Sequence, residues 1–273
     1  MEPTTTRHRV RAGLAAFAVV LGFVLSQIVA GGIVIVIAHA FGVKVDLTDI
    51  DTASAIALIC VQLLQFAIGL AVATRISDRR SVGLDSTRAE RRAGMRALTP
   101  VAALIVLLPL VLALGGGDSL IDPALGASEI AALSILAFII ALNEELWFRG
   151  LVVSQLGGRS WPMGAILISA VFFGLPHVGG DSSSWLNAAG VTLAVGIPFA
   201  AVRIVTRSLF ALVLVHGLID LWAFLHTGAI QTSGSPTLGE VIGSLLFPSA
   251  LALGYVAWTR RRIHSDAGSD AGA

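Results

Sequence analysis

Leu142-Asn143-Glu144-Glu145-Leu146-Trp147-Phe148-Arg149-Gly150 is the stretch on which the reading of this chain turns. It follows an apolar run from Ala131, and apolar residues resume at Leu151. Two adjacent carboxylates and a guanidinium therefore sit inside what otherwise reads as one long hydrophobic helix. An ionised group near a bilayer centre costs about 2.5–3.5 kcal/mol on insertion scales unless it faces a partner or water. A chain that keeps such residues there uses them. Glu145 and Arg149 stand at i and i+4, acid first, which is the favourable order for an ion pair on one helical face. Glu144 points about 100° away around the axis. The spacing thus makes Glu145 the charge-compensated carboxylate and leaves Glu144 free for chemistry. The plainer alternative is a helix end at a membrane surface, where charges are ordinary.

The remaining composition favours the membrane. Of 273 residues, 56% are hydrophobic and only 13% charged, and the mean hydropathy is +0.87. These values describe a polytopic all-α membrane protein and not a soluble domain. A net charge of +1 implies no nucleic-acid partner. The single cysteine, Cys60, excludes an intrachain disulfide and a zinc–thiolate cluster. Arg7, Arg9 and Arg11 followed by Ala38-His39-Ala40 would suit a secretory signal, but the apolar stretch between them, about residues 12–37, is far longer than the roughly 7–15 residues of a signal core. It is expected to stay as a spanning helix.

Eight apolar stretches are long enough to be considered as spans: about 12–40, 53–74, 98–114, 130–156, 162–177, 186–205, 208–226 and 238–258. With the N-terminus inside, every basic residue except Lys44 falls on a cytoplasmic segment, and Asp46, Asp49, Asp51, Asp118, Asp122, Glu129, Asp181 and Glu240 fall outside. That asymmetry predicts an N-in, C-in multi-pass protein of the plasma membrane. Seven arginines between Arg75 and Arg96 read as a basic amphipathic segment on anionic headgroups. Gly115-Gly116-Gly117 and Gly234-Ser235-Pro236 read as outer loops, and the tail after Arg262 as disordered. Three regions follow: N-terminal helices with the basic loop over 1–128, a helix bundle carrying the motifs over 129–227, and a last helix with its tail over 228–273.

Further titratable residues lie within the spans. His39 near the end of the first is an interface residue. His177 closes the fifth, in Phe172-Phe173-Gly174-Leu175-Pro176-His177. His216 and Asp220 sit in the seventh at i and i+4, on one face. Glu144, Glu145, Arg149, His177, His216 and Asp220 come from three helices that meet only inside a bundle. One shared polar cavity hydrates and neutralises them together, whereas separate placements would each be costly.

In that order, Glu144-Glu145-xxx-Arg149, Phe173-xxx-His177 and His216-xxx-Asp220 resemble the three-motif signature of the CPBP intramembrane proteases. That family includes the type II CAAX prenyl endopeptidases and the bacteriocin-immunity or lysostaphin-resistance proteins. Thr206-Arg207-Ser208-Leu209 resembles the lead-in to the third motif, and the resemblance covers residues 130–222, about a third of the chain. The third motif often ends in Asn, where this chain has Asp220.

The resemblance implies an intramembrane endopeptidase in which Glu144 with His177 activates water while His216 and Asp220 face the carbonyl oxygen, supported by Glu145, Arg149 and Phe173. One Glu, two His and one Asp also make a plausible zinc set of Glu144, His177, His216 and Asp220. The helix-borne HExxH spacing is absent, and the metal-free version is the expectation. The expected partners are membrane lipids and a protein or peptide substrate with a membrane-proximal cleavage site. Two other classes fit buried acids and histidines: a proton-coupled transporter, against which the missing inverted repeat speaks, and a non-catalytic scaffold or immunity-type factor.

Overall fold

The computed structural model describes residues 3–45, 51–114, 121–178, 184–227 and 238–270, and among these every regular element is helical. In chain order they are α1 (Pro3–Ala40), α2 (Thr52–Ile76), α3 (Arg79–Val82), α4 (Arg88–Leu114) and α5 (Ala127–Glu144). A π-helical stretch (Glu145–Val152) and α6 (Val153–Gln155) continue α5 without a break. Then come α7 (Pro162–Gly174), a 3-10 turn (Leu175–His177), α8 (Ser184–Val191), a second π stretch (Thr192–Gly196), α9 (Ile197–Thr206), α10 (Phe210–Thr227) and α11 (Leu238–Asp270).

A helix covers each of the eight apolar stretches, but length and composition qualify four among the described residues to cross a membrane: Thr6–Ala40, Thr52–Ile76, Ala127–Gln155 and Ala188–Thr206. Pro162–His177 and Phe210–His226 are apolar but shorter. The expected outer-loop glycines 115–117 and residues 234–236 lie outside the described residues, as do Asp46, Asp49, Asp118 and Asp181. Past Arg262, where the sequence suggested disorder, α11 runs on as helix to Asp270.

The basic stretch between Arg75 and Arg96 folds as a compact cap of α3 and the first turns of α4. Asp78 accepts from the Ser81 amide at 2.8 Å and starts α3, and Gly83, at φ 90°, ends it in the left-handed region that glycine tolerates. A reciprocal capping box then starts α4 at Arg88, ten residues earlier than hydropathy suggests. The Thr87 amide donates to Glu90 Oε2 at 2.7 Å and the Glu90 amide to Thr87 Oγ1 at 3.2 Å. The Ser81 amide holds the Asp78 carboxyl below its ordinary range. Burial pushes Glu90 up, but its bonds to Thr87 outweigh this and leave it lowered too. The cap is pinned from below: the guanidinium of buried Arg203 on α9 donates to the Ser81 carbonyl, Ser208 Oγ donates to Ser86 Oγ at 3.1 Å, and Val82 is fully buried against Gly150, where a Cβ would lie 2.8 Å from Val82 Cγ1.

The core gathers around the first π stretch. Trp147, Phe148, Leu151, Phe173 and Phe199 are each at most 1% exposed. Phe23 of α1 packs edge-on against Trp147 and Phe148, with ring centroids 5.8 and 4.9 Å away. The outer flank of α1 presents Leu14, Phe17, Leu25 and Ile28, each more than half exposed, as a lipid-facing helix does. Cys60 likewise points out of the bundle.

Candidate active site

Winding changes where the chemistry begins. Up to Glu144 the helix is α; from Glu145 to Val152 it is π, with hydrogen bonds reaching five residues back, an arrangement rare elsewhere and frequent at functional sites. A wider turn rearranges the backbone acceptors, and Ser169 Oγ on α7 donates to the Phe148 carbonyl at 3.0 Å. Ser169 is fully buried, so this hydroxyl has a fixed task.

The π stretch brings Glu145 against α10. His216 Nδ1 lies 2.9 Å from Glu145 Oε1, and Arg149 Nη1 lies 3.0 Å from the same oxygen. The expected pairing of Glu145 with Arg149 is present, and the carboxylate also anchors a histidine that helical spacing could not link to it. Arg149 has no aligned hydrogen bond at any guanidinium nitrogen among the described residues. Its charge is compensated by the Glu145 ion pair and by the face of Phe173, whose ring centroid is 3.8 Å away. Both charged side chains are fully buried, a placement that is stable only as a pair.

With Nδ1 tied to Glu145, the other ring nitrogen of His216 faces two more acids. Nε2 is 3.8 Å from Glu144 Oε2 and 3.7 Å from Asp220 Oδ1. Neither distance is a direct hydrogen bond, so Nε2 faces both carboxylates at short range without bonding to either. The side chains of Glu144 and Asp220 keep 20% and 19% of their surface, against 5% for His216, so the opening of the site lies on their side. Close approach of α10 to α5 depends on Gly217, where a Cβ would overlap the Phe138 ring.

His177 joins from the end of α7. Its Nδ1 hydrogen-bonds the Phe173 carbonyl at 3.0 Å and its ring lies 5.2 Å from that of Phe173, which is itself 5.6 Å from His216. Phe173 is thus the hub between Arg149, His177 and His216. Arg149, His177 and His216 meet at this ring, and Glu144, Glu145 and Asp220 approach His216.

Hydropathy and motif spacing overlooked a second polar group on the other side of the same helix. Asn143, fully buried, donates Nδ2 to Gln62 Oε1 and Gln65 Oε1 of α2, each at 2.6 Å. Gln65 Nε2 donates onward to the Phe23 carbonyl at 3.0 Å and to Ser26 Oγ at 3.2 Å on α1. The available signal was two amides three residues apart in an otherwise apolar run. Ser169 carried none, since a lone serine in a spanning helix is ordinary.

Among the described residues, no group of three His, Cys, Asp or Glu side chains is placed to hold a metal ion.

No curated protein and no solved structure matches the chain. The family match falls on the helices that build the site and points, with the four apolar helices, to a membrane-bound protease of the CAAX type. Residues 126–222 match the family described as type II CAAX prenyl endopeptidase Rce1-like, which is the family the three motifs resemble.

Proposed function

We propose that this chain is an intramembrane endopeptidase that cleaves a peptide bond at or within the membrane by metal-free hydrolysis, with Glu144 as the base. The observation that carries the reading is His216: anchored at Nδ1 by Glu145, it turns Nε2 toward both Glu144 and Asp220, 3.8 and 3.7 Å away, on the more exposed side of the cluster. Water attacks the scissile carbonyl carbon as Glu144, with His177, takes its proton. The oxygen of the tetrahedral intermediate is met by Nε2–H of His216 and, in its protonated form, by Asp220. Glu144 then returns the proton to the leaving nitrogen as the C–N bond breaks, giving one acid and one amine. Arg149 and Phe173 support this set without touching the reacting atoms. The protein is read as N-in, C-in, with about eight spans in the plasma membrane, so its substrate is a polypeptide with a membrane-proximal cut site.

The test compares new protein N-termini in membranes carrying wild type and Glu144→Gln. Termini present only with wild type, and trapped uncut partners on the variant, are the expected result. Identical termini would overturn proteolysis, and full biological complementation by Glu144→Gln would indicate a scaffold. Activity that strong chelators abolish and stoichiometric zinc restores would overturn the metal-free mechanism.

A further inference from the structure

We infer that α2, outside the family-matched segment, is part of the working site: Gln62, Gln65 and Gly69 are positioning residues that set the rotation of the motif helix about its axis. They stand at i, i+3 and i+7 and so form one stripe of α2. Against that stripe lies one flank of the motif helix, Asn143 and Trp147, one turn apart. The amide of Asn143 is held by both glutamine oxygens at 2.6 Å, and Gln65 is itself fixed to α1 through Phe23 and Ser26. Rotating the helix either way strands Asn143 without partners in an apolar interior.

Trp147 supplies the steric half of the device. Its indole fills the notch at Gly69, where a Cβ would lie 2.6 Å from Nε1 and 2.9 Å from Cε2. On α1 the same ring approaches Gly22, where a Cβ would lie 3.5 Å away. Trp147 Nε1 is buried with no hydrogen-bond partner among the described residues, so shape and not hydrogen bonding seats the ring. Directional amides thus stop rotation, and a glycine notch stops translation.

What is positioned is the pair of residues next to Asn143. Glu144 and Glu145 follow it directly and face His216. A side-chain tip about 5–6 Å from a helix axis moves by about 2 Å when the helix turns by about 20°. A misplacement of about 1 Å can already cost about 100-fold in rate. Apolar packing alone would leave such a rotation cheap, since lipid-like side chains carry no directional bonds.

The experiment is an all-apolar swap, Gln62→Leu, Gln65→Met and Asn143→Leu together, in a Cys60→Ser background, beside each single change. Singles strand a partner and lower the melting temperature. In the triple the melting temperature recovers, kcat on a quenched peptide copied from a Glu144-dependent cut site falls about tenfold or more with KM unchanged, and spin labels at the exposed positions Ile135 and Phe210 change separation. A triple with wild-type melting, kcat and label separation overturns the inference. Should the triple not fold, Gly69→Ala and the compensating pair Gly69→Ala with Trp147→Phe decide: recovery in the pair of the kcat lost in the single supports positioning, and equal kcat in both overturns it. The kinetic arm rests on the proposed proteolysis. If wild type and Glu144→Gln release the same termini, that proposal fails and the label separation alone decides this one.

Discussion

The two π-helical stretches have different origins. Thr192–Gly196 ends two residues before Pro198, whose nitrogen cannot donate to the carbonyl four residues back and whose ring collides with it. One residue, legible in sequence, forces the winding there, and Gly196 packs against Ala170, a Cβ there coming within 3.0 Å. Glu145–Val152 has no proline. What bears on it comes from other helices: the Ser169 hydroxyl on the Phe148 carbonyl, Val82 against Gly150, and His216 on the Glu145 carboxylate that Arg149 also pairs with. An irregular helix with a local cause is architecture; one that meets side chains from three other helices stands where a functional site is most often found.

The largest effect that separates the two belongs to Glu145. Glu145→Gln leaves Arg149 buried without its counter-charge and should cost about 3–5 kcal/mol, read as a drop in thermal midpoint in detergent. Glu145→Leu with Arg149→Leu should recover part of the stability but none of the activity, because His216 also loses its anchor. Unchanged stability of Glu145→Gln would show that the Glu145 ion pair does not support this stretch. Next comes Ser169→Ala, which removes a hydroxyl from a buried carbonyl and should cost about 1–3 kcal/mol, with Ser169→Thr recovering the bond. Pro198→Ala, by contrast, should be tolerated or stabilising, and the new amide at 198 should become protected from hydrogen exchange. Loss of cleavage in Pro198→Ala would mean that the two stretches are functionally alike after all.

The smallest effect is on the cap beneath Gly150. Asp78 and Glu90 both titrate below their ordinary values of 3.8 and 4.5. Their contribution is therefore complete above those values and is lost as pH falls through the lowered ones. Hydrogen-exchange protection of the Ser81 and Thr87 amides should accordingly weaken below about pH 4, with the α5 amides unaffected. Equal loss in both regions would show that the cap and the bundle open as one unit.

Charge in an apolar run was what made the site legible. Glu144, Glu145, Arg149, His177, His216 and Asp220 announce themselves because a spanning helix excludes them unless they share a cavity. Helical spacing also found the Glu145–Arg149 pair. It could not find that Glu145 holds His216, because 71 residues separate them and no local rule spans that distance. The fold of the basic segment was legible too, though in its neutral and acidic residues: Asp78 and Thr87-x-x-Glu90 are capping signals that mark a folded turn among the arginines. Neutral residues such as Asn143, Gln65 and Ser169 gave the least warning, since their importance lies in what stands opposite.

Arg203 clasps the Ser81 carbonyl across 122 residues of chain, and Ser208 reaches Ser86 across the same interval. Those bonds give the bundle an order of assembly. While the first four helices have already left the ribosome, the turn between α2 and α4 still lacks the side chains that fasten it, and these emerge only with α9 and α10. Until then Val82 has its contact with Gly150 but no clasp to keep it there. The proposed catalytic helix is thus held provisionally during synthesis and locked at the end, so a chain that stops short of Arg203 would carry the Glu144-Glu145 motif without the fastening beneath it.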